Sequence, residues 1–196
     1  MPRAKLLPPG FYRRDPREVA PELLGKVLVR DGRAGRIVEV EAYLGPHDPA
    51  SHAYRGPSAR NATMFGPGGH LYVYFTYGMH WCANAVCGDE GEGTAVLLRA
   101  LAPIAGIPQM RTARGGIDRV TALCSGPAKL CQAFGIDRAF DGTDLTGSSR
   151  SRPWIGDDGT PPPANPGRSS RVGISVAVEH EWRWFVPGDP NVSRAR

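Results

Sequence analysis

The chain has 196 residues, 41% of them hydrophobic and 22% charged, which bounds it to one ordinary globular domain with a sizeable core. No apolar run approaches the ~18 residues of a membrane span, and the first ten residues lack a long apolar segment and a small-residue cleavage site, so a cytoplasmic protein is expected. A net charge of +5 favours an anionic partner, although most of the excess of 21 Arg over 3 Lys is assigned to a GC-rich genome.

Asp15-Pro16-Arg17-Glu18 opens a helix with an N-cap, a proline at the first helical position and an acidic first turn; it runs to Leu24 and stops at Gly25. Lys26–Arg30 reads as a strand, and Asp31-Gly32 turns it back into a second, Arg36–Tyr43. Period-two alternation there puts Glu39, Glu41 and Tyr43 on one face, with Val38, Val40 and Ala42 on the other. Carboxylates lined up beside an aromatic ring add nothing to stability and point to a site. A solvent-facing strand side has the same alternation, so this stretch alone does not separate the two.

Asp48-Pro49 repeats the cap-plus-proline signature, and a short helix is expected there; Arg55–Gly69 is read as loop. His70–Tyr77 is an aromatic strand that breaks at Gly78, Trp81–Val86 is its partner, and Thr76–His80 forms the hairpin tip. Tyr72 and Tyr74 share a strand face, a Tyr-rich feature beyond what packing needs although ordinary β-propensity also produces it, and Tyr77 at the tip has nothing to pack it. Thr94–Leu101 is an apolar run interrupted by Arg99. Unless it reaches solvent at a strand end, Arg99 needs a carboxylate or phosphate, because its charge cannot be neutralised. Helices are expected over Ile107–Arg114 and from Ser125-Gly126-Pro127 to Phe134. Thr146–Ser170, rich in Ser, Pro, Gly and Arg, is expected as a surface loop, and Arg171–Val178 and Trp182–Val186 as closing strands. The reading is one α+β domain over residues 1–196, built on an antiparallel sheet.

Cys82, Cys87, Cys124 and Cys131 do not have the spacing of a zinc knuckle and are expected as reduced core residues. The five histidines form no His-Glu-x-x-His pair, so neither a metal nor a cofactor is expected.

Four stretches in order resemble the alkyladenine (3-methyladenine) DNA glycosylase family: Arg36-Ile-Val-Glu-Val-Glu-Ala-Tyr-Leu-Gly45, Leu71-Tyr-Val-Tyr-Phe-Thr-Tyr-Gly-Met79, Val96-Leu-Leu-Arg-Ala-Leu101 and Leu123-Cys-Ser-Gly-Pro-Ala-Lys-Leu-Cys131, with a weaker match at Arg171-Val-Gly173. The resemblance implies a curved sheet with a protruding hairpin and surrounding helices. It also implies a monomeric repair enzyme, associated with the nucleoid, that extrudes a damaged purine from double-stranded DNA and hydrolyses its N-glycosidic bond. On this resemblance Glu41 is the general base that activates water and Arg99 helps place the nucleotide and water. Tyr43, His52 and Tyr74 wall the base pocket, Asn84 and Leu97 judge the base, and Tyr77 is the wedge that fills the vacated stack. Glu39 is read as support or surface. The chain departs from the family pattern at His80, beside the wedge, and in the acidic insertion Gly88–Gly93. A rival reading is a non-catalytic module that stacks single strands on the Tyr72–Tyr77 hairpin, but a carboxylate such as Glu41 beside phosphates argues against it.

Overall fold

In the computed structural model, which describes residues 4–147 and 151–194, the alternating stretches of the first half of the chain become one curled antiparallel sheet. Its strands are β1 (Lys5–Leu6), β2 (Val27–Arg30), β3 (Arg33–Tyr43), β4 (His70–Thr76), β5 (His80–Cys87), β6 (Thr94–Ala105), β7 (Thr143–Asp144), β8 (Trp154–Asp157), β9 (Gly167–Ser169) and β10 (Arg183–Phe185). They lie in the order β1-β8-β2-β3-β6-β5-β4-β7, and β10 pairs with both β3 and β9. The helices are α1 (Pro9–Tyr12), α2 (Pro16–Leu23), α3 (Ile107–Ala113) and α4 (Pro127–Phe134). Asp15 caps α2 by accepting from the Arg17 amide, as its sequence indicates.

One side of the sheet carries the main core. Val40 and Ala42 of β3 and Leu98 and Leu101 of β6 pack there with Leu23 of α2 and Leu130 and Phe134 of α4, all inaccessible to solvent. The four cysteines are free and buried.

β3 is the spine. It pairs along one edge with β6, and along the other with β2 at its start and β10 at its end. The β3–β6 register shifts between Ile37 and Glu39 and again between Glu39 and Val40, so neither Val38 nor Arg99 has a paired partner across that ladder. Bulges of this kind bend a strand and re-aim its side chains. Here they fall at Glu39 and Arg99.

Three expectations fail. Trp154–Asp157, inside the stretch expected as a surface loop, is a strand between β1 and β2, and Ile155 is fully buried in the core. Ser148–Arg150 of that stretch lie outside the described residues. Arg171–Val178 forms turns instead of a strand because its polar groups bond other parts of the fold and Ala177 has a positive φ of 53°. After β3 the chain makes a 3-10 turn over Gly45–His47 and then turns, not a helix. There the Asp48 carboxylate accepts from the Leu44 and Ala50 amides, which keeps the segment in local turns.

Candidate active site

A cavity of about 340 Å³ opens on the face of the sheet opposite the main core. That volume suits a small ligand. The strand register supplies its floor. Tyr72 of β4 pairs with Asn84 of β5, Asn84 with Leu97 of β6, Leu97 with Glu41 of β3, and Glu41 with Arg183 of β10. Paired residues project to the same side, so a single row crosses five strands. Tyr43, His52, Tyr74, Asn84, Leu97 and Arg99, six of the residues singled out from the sequence, line the cavity, and Tyr77 stands at its edge.

Glu41 lies behind the wall. It is fully buried, and three wall residues bond it: the Val172 amide donates to Oε1 at 2.7 Å, the Tyr43 hydroxyl to Oε2 at 3.0 Å, and Arg99 Nη1 is 3.2 Å from Oε1. Glu39 is equally buried, so a solvent-facing strand side is excluded for both carboxylates, as is a surface role for Glu39. Glu39 Oε1 accepts from Arg99 Nε at 2.9 Å and Arg183 Nε at 2.7 Å. Arg99 is 6% exposed and has the carboxylate partners that its burial requires.

The two glutamates differ in proton affinity. Burial raises the Glu41 carboxyl above the usual carboxylate range, outweighing Arg99, the Val172 amide and the Tyr43 hydroxyl. Burial acts on Glu39 in the same sense, but Arg99, the Ser193 amide and Arg183 together hold it below that range. Two carboxyl groups driven apart in this way take different roles, and the one that holds a proton more tightly is the better base.

The aromatic wall is equally ordered. Tyr72 and Tyr74 stack at 5.5 Å, and His52 meets Tyr74 edge-on at 4.4 Å with its Nδ1 3.2 Å from the Tyr72 hydroxyl. Burial, then Arg60, lowers the His52 pKa and keeps the ring neutral at neutral pH. Asn84 donates from Nδ2 to the Tyr72 carbonyl at 3.1 Å, so it bonds the hairpin backbone while also lining the cavity. At the hairpin tip Tyr77 (φ 51°) and Gly78 (φ 66°) are both left-handed, and Tyr77 is 81% exposed. A bulky residue with positive φ is strained, and such strain gathers at functional sites.

Sequence reasoning missed the wall formed by Val172, Gly173 and Ile174. Its signal was the faint match at Arg171-Val-Gly173. Arg171 is fully buried; its Nη2 donates to Asp48 Oδ1 at 2.8 Å, its Nη1 to the Ala42 carbonyl at 3.0 Å, and its guanidinium lies 4.6 Å from the Tyr43 ring centroid. This clamp fixes the loop so that the Val172 amide meets Glu41.

Arg99 also borders a second cavity of about 570 Å³, lined by Arg119, Thr121, Ser125, Lys129, Ser193 and Arg194 among others and, among the described residues, by no carboxylate. The acidic insertion borders neither cavity. It is a turn between β5 and β6 in which Asp89 pairs with Arg13 at 2.7 Å.

The methylpurine-DNA glycosylase (MPG) family profile matches residues 10–190, almost the whole of the chain that builds these cavities. The chain belongs to the methylpurine-DNA glycosylase family. This DNA glycosylase, an N-glycosyl hydrolase, is 58% identical over 191 residues to a protein of Burkholderia cenocepacia, covering 97% of this chain and 92% of the relative. It is 49% identical to one from Streptomyces avermitilis (95% and 90% covered) and 48% identical to one from Methanoculleus marisnigri (96% and 98%). Each of the three carries the name "Putative 3-methyladenine DNA glycosylase". No helix among the described residues of the glycosylase is long and apolar enough to cross a membrane.

Proposed function

We propose that this glycosylase, acting as a cytoplasmic, nucleoid-associated monomer in base excision repair, removes alkylated and deaminated purines (3-methyladenine, 7-methylguanine, hypoxanthine and ethenoadenine) from duplex DNA. The observation that carries this reading is the Glu41–Arg99 pair buried directly behind an aromatic cavity, with an exposed tyrosine at the cavity's edge. A base inside the duplex stack is out of reach, so Tyr77 enters the helix as the base leaves and fills the gap. The flipped purine lies against Tyr43, His52 and Tyr74, where a cationic methylated ring gains cation–π attraction. Asn84 and Leu97 judge its edge. The Arg119, Lys129 and Arg194 cations of the neighbouring cavity suit the flanking phosphates.

Glu41 takes a proton from water as the water oxygen bonds to the anomeric carbon, and the C–N bond electrons leave with the base. A cationic alkylated purine departs neutral and needs no acid, whereas a neutral lesion such as hypoxanthine or ethenoadenine departs as an anion and takes its proton from solvent. The Glu41 carboxylate and the Arg99 guanidinium orient each other, and the negative charge of Glu41 stabilises the oxocarbenium-like transition state. No lysine borders Glu41 or the base cavity, in keeping with a monofunctional enzyme without a lyase step.

The test is incubation with duplexes that each carry one hypoxanthine or methylated adenine, followed by alkaline cleavage. Strand breaks that depend on Glu41 are expected. An intact strand with every lesion would end the reading.

A further inference from the structure

Arg99 faces two carboxylates, yet its three nitrogens are divided among three partners. Nε donates to Glu39 at 2.9 Å, Nη1 lies 3.2 Å from Glu41, and Nη2 donates to the Ser193 hydroxyl at 3.2 Å. That hydroxyl in turn donates to Glu39 Oε1 at 2.8 Å, while the Ser193 amide donates to Glu39 Oε2 at 2.6 Å. Ser193 therefore occupies the position from which Nη2 would otherwise reach Glu39. A guanidinium left alone with a carboxylate forms a side-on fork through Nε and one Nη. With the Ser193 hydroxyl gone, that fork onto Glu39 becomes available, and closing it rotates Nη1 away from Glu41.

We propose that Ser193 is a positioning residue for base release, dividing Arg99 between Glu39 and Glu41 so that the cation stays on the carboxylate that activates water. The proposal rests on the reading of Glu41 as the base. Ser193 lies 94 positions beyond Arg99 and 154 beyond Glu39, in a segment that no sequence motif marked. Its neighbours Pro190, Val192 and Arg194 border the basic second cavity, so the anchor sits where that cavity meets the catalytic pair.

The readout is the acid limb of the rate against pH, which reports ionisation of the base. Arg99 from β6, Glu39 and Tyr43 from β3 itself and the Val172 amide act on Glu41 directly; Tyr74 from β4, Cys82 from β5, Arg183 from β10 and Arg171 from the clamped loop are the other titratable and charged groups around it. Only Arg99 moves in the proposal. Losing it from Glu41 leaves burial less opposed and raises the pH at which Glu41 ionises.

Single-turnover hypoxanthine release is measured against pH for the wild type, Ser193→Ala, Ser193→Thr and Glu41→Gln, together with affinity for an abasic-site duplex. Ser193→Ala should lower the plateau rate by ~10–100-fold, as a small misplacement of a catalytic group does. It should move the acid limb up by ~1 pH unit and leave abasic-site affinity within a few-fold of wild type. Ser193→Thr keeps the hydroxyl and should behave as wild type. An unmoved acid limb in Ser193→Ala overturns the proposal whatever the rate does, and so does a threonine variant that behaves like alanine. Base release retained by Glu41→Gln would instead remove the reading of Glu41 on which the proposal stands, so the two failures are distinct.

Discussion

Glu39 and Glu41 sit two positions apart on one strand, both inaccessible to solvent, with proton affinities moved in opposite directions. Glu39 is lowered, so its contribution to stability is complete above the unfolded carboxylate range and is lost as the pH falls through its folded value. Glu41 is raised, so its contribution is complete below the unfolded value and lost as the pH rises through the folded one. At neutral pH, Glu39→Gln should therefore cost ~3–5 kcal/mol, because it leaves Arg99 and Arg183 short of a buried partner. Glu41→Gln should leave the melting temperature unchanged or raised, and the gap between the variants should narrow as the pH falls below the carboxylate range. Melting curves across pH check this; a Glu39→Gln protein as stable as wild type at neutral pH would refute it. The same Glu41→Gln change should cut base release by ~10²–10⁴-fold while abasic-site binding persists. From sequence alone Glu39→Gln looks like a mild control, and its four donors make it a severe change instead. For Asn84, the bond from Nδ2 to Tyr72 fixes the amide against the cavity instead of excluding a selective role. Asn84→Ser should lower stability by ~1 kcal/mol through loss of that bond, and raise guanine excision from mismatches by ~1–3 kcal/mol of discrimination. Guanine and hypoxanthine release measured side by side decide it, since a parallel fall in both would leave Asn84 a purely structural residue.

Among the elements, β2 to β6 were legible because alternation and turn residues agree there, and the β2–β3, β4–β5 and β5–β6 ladders each join strands that follow one another in sequence. Two failures have one physical cause. Trp154–Asp157 is too short and too surrounded by Pro, Gly and Ser to announce itself, and it becomes a strand because β1 and β2 offer unpaired edges. Arg171–Val178 alternates like a strand but spends the Val172 amide on Glu41 and the Arg171 guanidinium on Asp48 and Ala42. Distant partners decided both, and periodicity does not carry them. The site shows the same division: Tyr43, Tyr74, Asn84, Leu97 and Arg99 on strands, and His52 in the turns after β3, were singled out from the sequence, and the loop wall was not. The hairpin element carries its own prediction. Tyr77 is 81% exposed, so Tyr77→Ser should leave the melting temperature unchanged while weakening extrusion, which costs a few kcal/mol of unstacking. The loss of excision should be greatest for lesions in stable pairs and smallest in mismatches. Equal losses on both duplexes would contradict a wedge.

For the whole molecule, the net charge of +5 understates how selectively cations are left for DNA. Many arginines are already committed: Arg13 to Asp89, Arg14 to Glu22, Arg17 to Asp15, Arg36 to Asp158, Arg171 to Asp48, and Arg99 and Arg183 to Glu39. Internal pairing thus absorbs much of the arginine excess. Among the described residues, Arg119, Lys129 and Arg194 border a cavity that no carboxylate lines, and none of them pairs with an acid. These are the cations expected to neutralise phosphates and release counterions. Affinity for undamaged duplex should fall steeply as salt rises, with a log–log slope of ~0.9 for each phosphate neutralised. Lys129→Ala or Arg119→Ala should each reduce that slope by ~1 and weaken damaged and undamaged duplex alike, because phosphate contacts carry no base information. Arg13→Ala, which removes a cation already paired with Asp89, is the control and should leave the slope unchanged. Titrations of one undamaged duplex at several salt concentrations measure the slopes of the wild type and the three variants. If Arg13→Ala lowers the slope as much as Lys129→Ala does, the protein binds DNA through diffuse charge, and the second cavity has no special part in holding the backbone.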